Sequence, residues 1–319
     1  MKATDLISIH DLAGTEVLEV LDLALRVKGE PRAYSQALPQ KTLAMIFEKP
    51  SLRTRVSFET GMTQLGGHAV NLGPSDISMG KRESVADIAR TLSGMADGIM
   101  ARTFSHQAIV DLARHSEVPV INGLSDHLHP CQALADFLTV REVFGRCEGI
   151  RLAYVGDGNN VAHSLMYAGA KLGAHVSVAT PREYAPDPDV VARALEDAAS
   201  SGGSIAVGND VAKAVASADV IYTDTWASMG QESEHDERVK VFRPYQVNAS
   251  VMARASGRAV FMHCLPAHRG EEVTEEVFES KASVVFQQAA NRLHAQKAIL
   301  ILLLGGGRGG RRSRRADQT

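Results

Sequence analysis

Ser51, Arg53, Thr54 and Arg55 place two hydroxyls and two guanidiniums within five residues, directly after the apolar run Thr42 to Phe47 and the turn at Pro50. The run reads as a buried strand, and Val56, Met62 and Leu65 then recur at helical spacing, so this polar cluster stands where a helix begins. A helix N-terminus offers unpaired N–H groups and partial positive charge, and arginine adds a planar donor fork; together they suit a phosphate. A capped helix with solvated arginines has the same spelling. Arg102 follows the apolar run Gly98 to Ala101, at the carboxyl end of an expected strand, where open α/β sheets collect ligands. His129-Pro130-Cys131-Gln132 follows the strand expected over Val118 to Asn122, with Pro130 at the first helical position and a histidine and glutamine able to bond a carbonyl. A plain helix start explains that tetrapeptide too. Phe261 to Cys264 reads as a strand that ends in a thiol before Leu265-Pro266. His263 and His268 raise the question of metal, but a structural zinc site takes four closely spaced ligands, and Cys131 and Cys147 lie in unrelated contexts. No metal is expected, and a buried inert thiol remains the alternative for Cys264.

The elements that position these residues alternate strand and helix through the chain. That pattern predicts an α/β protein with parallel sheets covered on both faces, and 319 residues suggest two such doubly wound domains. The change of domain is placed at Gly145 to Gly149, before the strand Arg151 to Val155, giving a first domain of 1–145 and a second of 150–288 linked through the helix that opens near Pro130. Ser84 to Asp87 resembles a capping box for the helix carrying Ile88 and Leu92. Gly156-Asp157-Gly158-Asn159-Asn160 follows a strand and raises a dinucleotide loop, but Val161 stands where the third glycine belongs. The next strand, His175 to Ala179, ends in Thr180-Pro181 rather than an acid for the ribose. An NAD-dependent oxidoreductase is thus disfavoured, and no cofactor is expected. A formal charge of −3 argues against general nucleic-acid binding, and the absence of a signal-peptide layout and of any long apolar run, with three unpaired cysteines, suits a cytoplasmic protein. The glycine- and arginine-rich tail, 305–319, is expected to be disordered.

Four segments taken together, Ser51 to Arg55, His129 to Gln132, Asp224 to Gly230 and His263 to Pro266, with Asn291-Arg292 near the end, resemble the signature set of the ornithine carbamoyltransferases, in that family's order and across nearly the whole chain. The resemblance implies carbamoyl phosphate and L-ornithine as substrates, L-citrulline and phosphate as products, and a homotrimer. It implies that the first domain binds carbamoyl phosphate, that a last helix over 289–304 packs back on it, and that the second domain binds ornithine. It places Ser51, Leu52 through its backbone, Arg53 and Thr54 on the phosphate, Arg102, His129, Gln132 and Arg292 on the carbamoyl and phosphate oxygens, and Ser78, Cys264 and Leu265 around the same substrate, with Arg55 as support behind them. Asn160, Asp224, Ser228 and Met229 are placed on ornithine, the Ser-Met-Gly segment as a closing loop, with core packing the plainer reading of Met229. The δ-amine is neutral in only about one molecule in two thousand at pH 7 if it titrates like lysine, so the site must favour the free base. Asp224 and Cys264 are the candidates to receive its proton, with Arg102 and His129 the other catalytic residues.

Three departures from the family pattern stand out: Leu52 for a frequent threonine, Ser78 where relatives often use glutamine to reach a neighbouring subunit's phosphate, and Ala290 where an acid is usual before Asn291-Arg292. The last predicts an Arg292 without an orienting partner and weaker carbamoyl phosphate binding. Aspartate carbamoyltransferases share the phosphate half but lack the cysteine and the Ser-Met-Gly loop, and transferases acting on putrescine or acetylated ornithine are nearer rivals. A non-catalytic binding homologue is the reading from another class.

Overall fold

The computed structural model describes residues 1–77, 79–80, 82–227 and 234–306; Ser78, Ser228 and Met229 of the sequence reading, and the tail beyond 306, lie outside the described residues. In chain order the elements begin α1 (Gly14–Gly29), β1 (Thr42–Phe47), α2 (Leu52–Gln64), β2 (His68–Leu72), α3 (Val85–Ser93), β3 (Gly98–Arg102), α4 (His106–His115), β4 (Val120–Leu124) and α5 (Pro130–Phe144). They continue β5 (Arg151–Val155), α6 (Asn160–Lys171), β6 (His175–Ala179), α7 (Pro188–Ser201), β7 (Ser204–Gly208), α8 (Val211–Val215), β8 (Val220–Thr223), α9 (His235–Phe242), α10 (Ala249–Met252), β9 (Val260–His263), α11 (Glu275–Phe278) and α12 (Val285–Leu304).

Every strand pairing in the two sheets is parallel, as the expected α/β class requires. The four-stranded sheet runs β2-β1-β3-β4 and the five-stranded sheet β7-β6-β5-β8-β9. In each, the chain lays its first strands outward on one side and then returns to build the other. The strand order therefore reverses between β1 and β3 in one sheet and between β5 and β8 in the other. At such a switch point adjacent crossovers leave in opposite directions, which opens a crevice at the carboxyl ends of the strands.

Two compact halves result. The first comprises Met1–Leu12, Leu18–Cys131 and the chain from Arg292; the second comprises Ala13–Val17 and Gln132–Asn291. The division thus falls inside α5, upstream of the glycines at 145–149, because α5 residues past Cys131 are committed to the second core: the Phe137 ring lies against Gly169 and Asp136 bonds Tyr222. In the first half Ile46, Ile88, Ile99, Ala101, Ile109 and Leu112 form a buried cluster. In the second, Val155, Ile221, Trp226, Phe242, Phe261 and Val277 do so. Burying each of the larger aliphatic or aromatic side chains among these is worth roughly 1.5–3 kcal/mol, ample to fix the strands that carry the polar residues.

β4 starts at Val120, later than the apolar pattern suggests, because Pro119 has no N–H and the Val118 N–H is taken by Ser116 Oγ at 3.1 Å. Ser84 caps α3, accepting from the Asp87 N–H at 3.1 Å. α12 begins at Val285, ahead of the expected Ala289, and from Arg292 onward it belongs to the first half, where Lys297 Nζ donates to Gln64 Oε1 at 3.1 Å. Among the described residues no helix is long and apolar enough to cross a membrane.

Candidate functional site

Residues with chemistry collect at both switch points. In the first, β1 and β3 register Phe47 beside Arg102, and the Glu48 N–H donates to the Arg102 carbonyl at 2.9 Å. The ladder between β3 and β4 slips at Ala101/Arg102, a local bulge of the kind that re-aims a side chain. Ser51 caps α2, its Oγ accepting from the Thr54 N–H at 3.3 Å, so the first-turn amides that follow are the orphan donors of a helix start. Thr54 is fully buried, and its hydroxyl accepts from Arg102 Nη1 at 3.4 Å and Arg292 Nη2 at 3.1 Å. One threonine therefore fixes two guanidiniums contributed by β3 and α12. His129 is buried beside them. Burial, then the charges of Arg292, Arg102 and Arg53, holds its pKa well below the ordinary value, so it is a neutral imidazole.

Two expectations for this half change. Ala290 is exposed, so an acid there would reach solvent; Arg292, two residues on and turned inward, is oriented instead by Thr54 and by Gln296. With its amide oriented to satisfy its neighbours, Gln296 accepts from Arg292 Nη2 at 2.9 Å and Nε at 3.3 Å while donating to Ser57 Oγ. Arg55 offers no support to the cluster: it lies on the outer face of α2 with its Nε on Glu59 at 3.0 Å. Leu52 is 73% exposed, so the lost threonine hydroxyl leaves no buried gap, and its backbone remains at the helix start.

In the second half Asp224 follows β8, Cys264 follows β9, and Asn159 follows β5. Asp224 Oδ2 accepts from Asn159 Nδ2 at 2.8 Å, and its Oδ1 accepts from the Thr225 N–H at 2.8 Å and from the Cys264 thiol at 3.0 Å. Asn159 caps α6 with its Oδ1, accepting from the Val161 N–H at 3.0 Å, so one side chain both starts a helix and aims the carboxylate. The turn after Cys264 is held by His263: Leu265, at φ +60°, donates its N–H to His263 Nδ1 at 2.8 Å, which leaves Nε2–H to donate to Glu272 Oε1 at 3.1 Å. That neutral tautomer follows from the backbone donor. Pinning matters because a non-glycine residue at positive φ costs on the order of 1 kcal/mol.

Gln132 donates to Asp136 Oδ1 at 2.8 Å. Asp136 also accepts from Gln288 at 2.7 Å and Tyr222 at 3.1 Å, and the Gln288 carbonyl accepts from the His263 N–H at 2.9 Å. Tyr222 and the stacked Tyr154 stay phenols, their pKa values pushed well up by burial and then by Asp136 and Asp224 respectively. Burial pushes Asp157 up to about 6 against the pull of Arg238, whose Nη1 lies 3.1 Å from it and also donates to the Trp226 carbonyl at 3.0 Å. Gly158 serves chain packing: a Cβ there would strike the backbone of Tyr184, Ala185 and Pro186, so the Gly-Asp-Gly spelling has a cause other than a nucleotide.

The structure thus brings together Ser51, Arg53, Thr54, Arg102, His129 and Arg292 in the first half, and Asp224 and Cys264 in the second. It places Leu265 on the adjoining turn, Asn160 half-buried at the first position of α6, and Gln132 in the Asp136 network. The sequence reading missed Asn159, Asp136, Tyr222, Glu272, Gln288, Gln296 and the Asp157–Arg238 pair. Two carried a signal: Asn159 has the cap residue type directly before a helix, and Asp136 stands four residues after Gln132 on one helix face.

The carbamoyl-P binding domain of aspartate/ornithine carbamoyltransferase matches residues 4–142, and the Asp/Orn binding domain of the same family matches residues 148–303. The ornithine carbamoyltransferase of Pyrococcus abyssi is 55% identical over 96% of this chain and 97% of its own. The anabolic ornithine carbamoyltransferase of Pyrococcus furiosus is 55% identical over 95% of this chain and 96% of its own. Among solved structures, the Pyrococcus furiosus enzyme superposes with a TM-score of 0.92 over 95% of this chain and 97% of its own, at 55% identity. The anabolic enzyme of Campylobacter jejuni gives 0.90 over 94% and 99% at 40% identity.

Proposed function

The chain belongs to the aspartate/ornithine carbamoyltransferase family, among its ornithine carbamoyltransferases, and we propose that it transfers the carbamoyl group of carbamoyl phosphate to the δ-amine of L-ornithine. The first half then takes carbamoyl phosphate and the second takes ornithine. The observation that carries the choice of acceptor is Asp224 at the switch point of the five-stranded sheet, hydrogen-bonded to Cys264: a carboxylate there attracts an ammonium and repels an anionic acceptor such as aspartate.

In the step itself the lone pair of the neutral δ-amine attacks the carbamoyl carbon, the C–N bond forms, and the C–O bond to phosphate breaks with its electron pair leaving on phosphate. Negative charge therefore grows first on the carbonyl oxygen and then on the leaving group. Arg102 and Arg292, held before substrate arrives, stabilise it without reorganisation together with Arg53, and neutral His129 donates its N–H to the carbonyl oxygen. The Asp224–Cys264 pair receives the amine proton; sharing a hydrogen bond, the two act as one acceptor. Gln132 sits on the Asp136 network, which holds its amide for the same substrate. Ser228, Met229 and Asn160 are assigned to the α-amino acid end and Ser78 to the phosphate of carbamoyl phosphate, on the family resemblance alone. A cytoplasmic homotrimer working toward arginine completes the proposal, the direction supported by the anabolic relative.

The test is citrulline formation by purified protein with ornithine, putrescine, N-acetylornithine and aspartate side by side. Ornithine should be the preferred acceptor, and Asp224→Asn should lower kcat/KM for it by about 10²–10⁴. Faster turnover of aspartate, or no turnover with any acceptor by a folded protein, would sink the proposal.

A further inference from the structure

A second group of titratable side chains lies in the second half, and the transfer chemistry makes no use of it. His235, the first residue of α9, sets its Nε2 3.1 Å from Glu271 Oε2, and His268 Nδ1 lies 3.7 Å from the same oxygen. The three ligand atoms lie within 4.8 Å of one another. A tetrahedral zinc ion with bonds of about 2.0–2.1 Å spaces its donors about 3.3 Å apart, so the observed 3.1 and 3.7 Å bracket the edge of that tetrahedron. Two imidazoles and one carboxylate are the donor set a borderline divalent ion takes.

The turn that carries two of the three donors is built in advance. The Glu271 N–H donates to the His268 carbonyl at 2.9 Å, and the Gly270 N–H to Val273 at 2.8 Å. Gln246 donates to the Glu271 carbonyl at 2.7 Å and Arg243 to that of Gly270 at 3.0 Å, so the segment following α9 clasps the same turn. Arg269, the cation nearest in sequence, is drawn away to Glu275 at 2.6 Å and Glu279 at 2.7 Å, leaving the cluster without an opposing positive charge from its own turn. Asp236 lies 3.4 Å from His235 Nδ1 and can accept Nδ1–H, so a metal ion at Nε2 would take the place of the proton that otherwise bridges Nε2 to Glu271.

We propose that His235, His268 and Glu271 form a binding site for a zinc-class divalent metal ion, tying the first turn of α9 to the turn that follows Cys264. Partial exposure of all three leaves the remaining coordination position to water. The trio Asp224, His263 and Cys264 also has close donors but is not equivalent: both ring nitrogens of His263 are spent, Nδ1 on Leu265 and Nε2 on Glu272. His263 and His268, neighbours in one motif, thus take opposite roles. The surface site binds metal irrespective of carbamoyl transfer, so its test does not depend on turnover.

Titration of the full chain with Zn²⁺ by calorimetry, and with Co²⁺ by visible absorption, gives the readout. Expected are one equivalent bound per chain, loss of affinity by at least about tenfold in each of His235→Ala, His268→Ala and Glu271→Gln, and a cobalt spectrum of nitrogen and oxygen ligands with no thiolate charge-transfer band. These residues are at the surface, so the variants should fold; circular dichroism confirms it. Absence of binding at millimolar Zn²⁺, undiminished binding in His235→Ala, or a thiolate band would each overturn the site.

Discussion

At the switch point of the four-stranded sheet the ionisable side chains are Arg53, Arg102 and Arg292 around a neutral His129, whereas at that of the five-stranded sheet they are Asp224, Asp157 and Cys264. Both crevices arise from the same topological device, a parallel sheet whose strand order reverses. What differs is the sign of the charge and the way it is held. In the cationic half the uncharged Thr54 hydroxyl accepts from Arg102 and Arg292, and the Gln296 amide also accepts from Arg292. In the acidic half Asp224 is held by an amide and a thiol, while Asp157 is matched to Arg238. Topology supplies a place for a ligand, and the charge of the partners decides which ligand.

The comparison is broken most directly by removing a cation from one half and the acid pair from the other. Arg292→Ala should lower kcat/KM for carbamoyl phosphate by about 10²–10³, the usual loss of one preorganised donor to developing charge. Asp224→Asn should leave the binding of carbamoyl phosphate alone within about twofold while losing turnover; calorimetry with that substrate separates the two, and an equal loss in both variants would show that the halves are not chemically distinct. A smaller effect sharpens the role of the neutral partners. Gln296→Leu, which removes the one oxygen that accepts two Arg292 hydrogen bonds, should raise KM for carbamoyl phosphate about tenfold, about 1.4 kcal/mol, while Ala290→Glu, at an exposed position, should change it less than twofold. A reversed order would return the orienting role to position 290.

The smallest effect is on stability. Because the folded chain holds His129 below its ordinary value near 6.5, the unfolded chain binds a proton there that the folded one refuses as pH falls. The stabilisation from this group is present above about pH 6.5 and drains away as pH falls toward the folded pKa. Between pH 7.5 and 5.5 the parent should therefore lose roughly 1 kcal/mol more unfolding free energy than His129→Asn, measured by urea titration at each pH. Parallel losses would mean that His129 carries a proton in the fold and belongs with the cations after all.

Much of this contrast was legible in the amino-acid order. Strands β1, β5 and β6 coincide with apolar runs bounded by turn residues, and the Ser51 and Ser84 caps sit where their hydroxyls precede helical spacing. The residues on the ends of strands were legible for the same local reason. What stayed hidden are partners brought together across the fold: Gln296 reaching Arg292 and Ser57, and Gln288 joining Asp136 to His263, involve glutamines whose neighbours in sequence say nothing of their targets. The family's two domains meet between 142 and 148, at the glycines that mark the turn, while the compact halves divide earlier because the packing of Phe137 and Asp136 commits α5 past Cys131 to the second core.

The three cysteines end up in unlike surroundings, and this makes the protein chemically addressable at a single atom. Burial lifts Cys131 and Cys147 to about 12, and each thiol is turned onto a backbone carbonyl, of Asn122 at 3.3 Å and Phe137 at 3.6 Å. Neither yields appreciable thiolate at neutral pH, and thiolate is what alkylating reagents attack. Cys264 alone is partly exposed. A maleimide dye or fluorinated tag offered to the unmodified chain would therefore settle on the sulfur beside Asp224, giving a reporter of events at that carboxylate without a single engineered residue.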